Sequence, residues 1–260
     1  MPSEVDLWKR PEILAALHVY LQLPFGKLHK GQPLIKQLAT WIDRTPNSVA
    51  LKLTNLASLD PQIRARGLRG MGNTSKLDRQ IWAELHSSWD PVALEAAAEY
   101  EKLAKRNGTL LDADLEIELP TLPEGKTRAA TVQIRVNQAR FRKAVLASYN
   151  ATCCISGLQS DRLVIASHIV PWSKDTHNRL NPQNGLCLSA LHDRAYDQGL
   201  ITVTPDYKVR VSPKLKALKS DSFMIDSLLR FDKQAIQLPE RFRPMPQFLE
   251  WHARHFGLLL

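Results

Sequence analysis

Ser167-His168-Ile169-Val170-Pro171-Trp172, Asn184-Gly185-Leu186-Cys187-Leu188 and His192-Asp193-Arg194-Ala195-Tyr196-Asp197-Gln198-Gly199 form the stretch on which the fold of this chain is decided. Leu163 to Ala166 is a short apolar run, read as a strand that delivers His168 to its end beside a Pro-directed turn. Leu186 and Leu188 alternate as a return segment does. Ser189 is the expected cap of a helix from Ala190 to Gln198, which puts His192 in the first turn. Asn184 follows His168 by 16 residues and His192 comes eight later. Hairpin, loop and helix in that order let His168 and His192 converge. A neutral imidazole near pH 7 can take a proton from water. A lone histidine at such a place is more often a hydrogen-bonded structural residue; the company of Asn184 and His192 points to chemistry.

The chain before this stretch is different in character. Pro11 opens a helix whose face is Ile13, Leu14, Leu17, Tyr20 and Leu21. A second helix runs from about Pro33, with Leu34, Ile35, Leu38 and Trp41-Ile42 apolar. After the turn Asp43 to Asn47 a third starts at Ser48, capped by Asn47 or Ser48, and stops at Asp60-Pro61. Two short helices about a compact turn resemble a helix-turn-helix, in which Ser48, Lys52 and Asn55 would be the exposed DNA readers. An ordinary helical hairpin fits the same pattern. Arg64, Arg66 and Arg69 lie on a glycine-containing loop that can follow a phosphate backbone. Further helices are expected after a Thr74 or Ser75 cap and from Val92 to Arg106.

Charge then changes sign. Eight acidic residues fall between Asp90 and Glu118, followed by Pro120, Pro123 and Gly125. Residues 1–108 are thus expected to form a helical, DNA-binding domain, 109–125 an acidic linker and 126–260 the domain that holds the central stretch. From Lys126 to Lys143 six residues are basic and none is acidic. Arg140, Arg142 and Lys143 are placed to grip phosphates. After the stretch, a hairpin is expected within Leu200 to Val211, a strand at Ile236 to Leu238 and a closing helix from Phe248 to Phe256. His252 and His255 share a helix face without an evident carboxylate and are expected at the surface.

Composition fits a polyanion partner. The 260 residues carry a formal charge of +9 and are 44% hydrophobic, enough for a proper core. Residues 1–10 do not read as a secretory signal and no run is long enough to cross a bilayer, so a cytoplasmic location without membrane association is expected. Cys153, Cys154 and Cys187 cannot supply four thiolates, so they are read as small buried residues and no structural zinc is expected.

The pattern Ser-His-Ile-x-Pro-Trp … Asn-Gly-Leu-x-Leu … His-Asp-x-Ala-Tyr-Asp-x-Gly resembles the HNH nuclease family over roughly residues 138 to 205. The resemblance implies a ββα-metal HNH domain, so that with the helical, helix-turn-helix-like N-terminal domain read above the chain is expected to be α+β. It also implies hydrolysis of DNA phosphodiesters with one divalent ion, Mg2+ or Mn2+, with Zn2+ or Ni2+ as alternatives. His168 matches the general base, Asn184 the residue that fixes the loop, and His192 a metal ligand. Where many relatives carry a second ligand before the base, this chain has Ser167. Asp197, then Asp193 or Asp175, could substitute. Arg194 is a candidate phosphate contact. Double-stranded DNA is the expected partner, and a homodimer is expected for cutting both strands. A restriction or defence role, with modified bases as one form of target, is the expectation by analogy. The competing reading is a DNA-binding regulator whose HNH domain is inactive, and RNA is a further substrate class.

Overall fold

The computed structural model describes residues 7–65, 67, 74–109, 126–218 and 221–259, with 126–131 described as helix backbone. The chain divides into two compact units, Met1–Lys143 and Ala144–Leu260. Most of the expected acidic linker, with Arg66 and Arg69, lies outside the described residues.

The first unit is helical: α1 (Arg10–Gln22), α2 (Pro33–Trp41), α3 (Pro46–Ala57), α4 (Pro61–Ala65), α5 (Lys76–Ser87), α6 (Trp89–Arg106) and most of α7 (Lys126–Ser148). Helix α1 is its axis. Ile13, Leu14, Ala15, Ala16, Leu17, Val19 and Tyr20 are all buried, so it is covered on nearly every side rather than on the one face expected. Helices α3, α5 and α6 pack against it. Arg10 ties its start to Glu84 and Glu95 at 2.7 and 2.9 Å. Ser75 caps α5 and shares a capping box with Asp78.

Helix α3 corrects two expectations. It begins at Pro46, with Thr45 as its cap accepting from Ser48 N at 3.1 Å. Proline takes the first helical position, where a missing N–H costs nothing, so the cap moves back from Asn47 and Ser48. Its expected readers are also not displayed together. Lys52 and Asn55 are buried, at 6% and 5% exposure. Lys52 Nζ donates to both oxygens of Asp78 at 2.8 and 2.9 Å, and Asp78 is fully buried. Of the three, Ser48 alone keeps partial exposure. The helix-turn-helix spacing here serves the core of a helical bundle.

The second unit is α+β. Strands β1 (Val164–His168) and β2 (Gly185–Ser189) form an antiparallel pair in which His168 faces Gly185 and Val164 faces Ser189. Helix α8 (Ala190–Asp197) follows β2 without a break, capped by Ser189. A second pair, β3 (Ile201–Val203) with β4 (Val209–Val211), matches the expected hairpin. Short helices α9 (Pro213–Lys216) and α10 (Ser222–Ser227) and the closing helix α11 (Pro246–His255) complete it. Gly199 ends α8 at φ +63°, and a Cβ there would meet the Phe256 ring at 2.1 Å, so only glycine fits.

Two tail expectations also change. Residues 236–238 form no strand; Gln237 N–H gives one bond to Cys154 O at 2.8 Å, and Pro239 has no donor to continue. His252 is buried, not at the surface. It stacks on Tyr196 at 3.6 Å and its Nδ1 pairs with Thr202 Oγ1 at 2.8 Å. Burial lowers its pKa to about 3. Among the described residues no helix is long and apolar enough to cross a membrane.

Candidate active site

The site is built on the β1–β2 pair, the loop between its strands and α8. Strand β1 ends at His168, and Asn184 holds the loop that follows. Asn184 is almost wholly buried and works through both ends of its amide. Its Oδ1 accepts from Val170 N at 2.8 Å, and its Nδ2 donates to Val170 O at 3.1 Å and Asn178 O at 3.3 Å. Its own carbonyl accepts from Ile169 N at 3.0 Å. Four backbone groups are satisfied in this way, those of Ile169 and Val170 buried.

His168 is held by the same loop. Its Nε2 lies 3.0 Å from the carbonyl of Arg179. A carbonyl only accepts, so Nε2 carries the proton and Nδ1 carries the lone pair of the neutral ring. Burial lowers the His168 pKa, against the opposite pull of that carbonyl, so the ring is neutral at pH 7. Trp172 meets the imidazole edge-on at 5.7 Å, and Arg179 lies over the Trp172 ring at 5.2 Å while its Nε donates to Trp172 O at 3.0 Å. Trp172 thus acts as a lid on the His168 loop. Asp175 is used within the loop: it accepts from His177 N at 2.9 Å, Asn178 N at 3.1 Å and Asn178 Nδ2 at 2.8 Å.

His192 stands otherwise. It is 3% exposed and faces inward from α8. Nε2 lies 2.9 Å from the carbonyl of Ser227, and Nδ1 lies 2.8 Å from Ser189 Oγ and 3.6 Å from Cys153 Sγ. Phe231 packs edge-on at 5.4 Å. Protein groups therefore engage both ring nitrogens. All three cysteines are free and buried.

The outward side of α8 carries Asp193, Arg194 and Asp197. Burial raises the Asp193 pKa, and the Ser167 hydroxyl and Arg194 draw it back. Burial also raises Asp197, and the neighbouring Asp193 charge adds to it. Ser167 is 3% exposed, and its Oγ has no partner within hydrogen-bonding limits among the described residues. Asp193 is the carboxylate on which this hydroxyl acts. Asp193 stands four residues before Asp197 on this side of α8.

The remaining expected residues belong to the first unit. Arg140 is paired with Glu101. Lys143 and Arg64 are exposed and Arg142 is half-buried.

No curated protein matches the chain. A family model described as HNH endonuclease matches residues 153–204, the span that contains β1, β2, α8 and β3. With a strand-end histidine, an asparagine-pinned loop and a following helix in that span, this segment belongs to the HNH endonuclease family.

Proposed function

We propose that the chain is a metal-dependent DNA endonuclease in which His168 is the general base, acting in restriction or defence. The observation that carries the reading is the Nε2 contact to the Arg179 carbonyl, which leaves the His168 lone pair on Nδ1. From there Nδ1 takes a proton from the water that attacks the scissile phosphorus. Asn184 acts on the loop: by fixing Val170 and Asn178 it holds Arg179 where its carbonyl can orient the imidazole. Arg194, exposed on α8, is placed to contact a phosphate. The carboxylates on the outward side of α8, Asp193 and Asp197, would hold a divalent cation, which when bound would supply Lewis-acid stabilisation of the charge that develops on phosphate and leaving oxygen.

The helical unit on the same chain supports a role that presents DNA to the cutter, and the restriction or defence assignment rests on that analogy. One site cuts one strand, so double-strand cleavage calls for two sites, and a homodimer belongs to the proposal. The test is incubation of supercoiled plasmid, modified and unmodified, with the full chain and Mg2+ or Mn2+. His168→Ala and an RNA substrate run alongside. Metal-dependent nicking or linearisation that the variant loses is expected. Intact DNA binding without cutting on any substrate would overturn the enzyme in favour of a regulator.

A further inference from the structure

We propose that the divalent cation of this site is held by Asp193 and Asp197, with the Ser167 hydroxyl beside them, and that His192 is a positioning residue and not a ligand. The inference rests on the nuclease reading above for the need of a cation, and on three separate observations for its place.

The first is the direction of side chains on α8. Asp193 and Asp197 are four residues apart, so they rise from one face of the helix with Cβ atoms about 6 Å apart, a span that one cation can bridge. His192 precedes Asp193 by one residue and is turned by about 100° to the buried side. The second is Ser167. A serine hydroxyl 97% buried and without a hydrogen-bond partner among the described residues costs free energy where it stands. It faces the Asp193 carboxylate, where a water or a carboxylate oxygen on a cation would satisfy it. The third is that His192 has no lone pair to spare. Ligation through Nε2 would require the Ser227 carbonyl at 2.9 Å to withdraw, and ligation through Nδ1 would displace Ser189 Oγ at 2.8 Å.

The donor set also selects the metal. Among the described residues no three His, Cys, Asp or Glu side chains gather to hold an ion. Two carboxylates leave most of the coordination shell to water and to substrate phosphate. Mg2+ and Mn2+ accept that arrangement, because they keep several waters and need few protein oxygens. Zn2+ favours a shell of nitrogen and sulfur ligands, which is not offered here. Arg194 flanks both carboxylates and balances their charge until a phosphate takes it.

Mn2+ binding to the full chain, without DNA, separates the assignments: the free-ion electron paramagnetic resonance signal is titrated for wild type, Asp193→Asn, Asp197→Asn and His192→Asn. Wild type is expected to bind one Mn2+. Each aspartate variant should weaken it at least tenfold while melting at the wild-type temperature in the absence of metal. His192→Asn should melt lower and keep the wild-type affinity. Absence of saturable binding to wild type, or wild-type affinity in both aspartate variants, overturns the proposal. Should His192→Asn prove too unstable to titrate, the aspartate variants decide alone. Mn2+ bound at the two aspartates by a chain that cuts nothing would instead sink the nuclease reading and leave this assignment standing.

Discussion

His168 ends a strand and His192 opens a helix, and the two regions hold their imidazoles to different ends. In the loop after β1, Nε2 of His168 is fixed by the Arg179 carbonyl, which makes Nδ1 the basic nitrogen of the neutral ring. Under α8, both nitrogens of His192 are drawn into the protein by Ser189 and Ser227. The lesson is one of angular resolution. A strand offers two directions, and the pairing of β1 with β2 settles which one each residue takes. A helix turns by about 100° per residue, so a motif aligned one position away points at something else. Of two neighbours on α8, His192 takes the buried direction and Asp193 the outward one.

The largest expected effect breaks the strand side. His168→Ala should lower the cleavage rate by about 10^2 to 10^4-fold with DNA affinity retained; an undiminished rate would remove the base from this residue. The wild-type rate should fall at acid pH with a midpoint below about 6.5, because burial lowers the folded His168 pKa and the neutral ring is the active form. A midpoint above the ordinary histidine value would contradict the burial seen here.

Asn184→Ala tests the loop that serves His168. It strips the partner from buried Val170 N and O, and a loss of about 2 to 4 kcal/mol in denaturant unfolding is expected, with cleavage falling as well. Stability unchanged within error would mean that the loop is not pinned by this amide.

The third effect is on acid stability. His252 has a folded pKa of about 3, below its unfolded value near 6.5, so the unfolded chain binds the proton more readily. The sign follows: the contribution is whole above pH 6.5 and is lost as pH falls toward 3, at up to about 1.4 kcal/mol per pH unit. His252→Gln should flatten that slope in melts between pH 4 and pH 6, chosen inside the window set by the two values.

The smallest effect bears on the helix side. Ser189→Ala removes the cap of α8 and the Nδ1 partner of His192, and should cost about 1 kcal/mol. Cleavage per folded molecule should stay near wild type. A hundredfold fall in rate at full folding would show that His192 takes part in the chemistry after all.

Much of the architecture could be read from residues alone, because it is written in local rules. Ser75 before α5, Ser189 before α8, and Pro205-Asp206 between β3 and β4 mark their elements by cap and turn chemistry. What escaped depends on partners distant in sequence. Lys52 reads as a surface lysine until Asp78, 26 residues on, is brought to it in the core. A buried pair of this kind has no periodic signature, and breaking it leaves a stranded charge. His252 likewise reads as exposed until Tyr196 and Thr202 meet it. At the site, His168 and Asn184 were legible by motif, whereas the Arg179 and Ser227 carbonyls that decide what each imidazole can do belong to no motif.

The asparagine that pins the loop is followed by Gly185, the neighbour that hinders least the attack of a backbone nitrogen on the side-chain amide. Closure of that ring expels ammonia and leaves a cyclic imide, which water opens to an aspartate or its β-linked isomer. In the folded protein the amide is tied to Val170 and Asn178 and the next peptide lies extended in β2, away from the angle that ring closure needs. Folding therefore protects the very group that shapes the loop. An aspartate at this position offers an acceptor to the Val170 carbonyl, which needs a donor. Warm, alkaline unfolding becomes a one-way chemical clock for the loop, read at Asn184 itself by peptide mapping, because Asn107-Gly108 offers a second amide of the same kind.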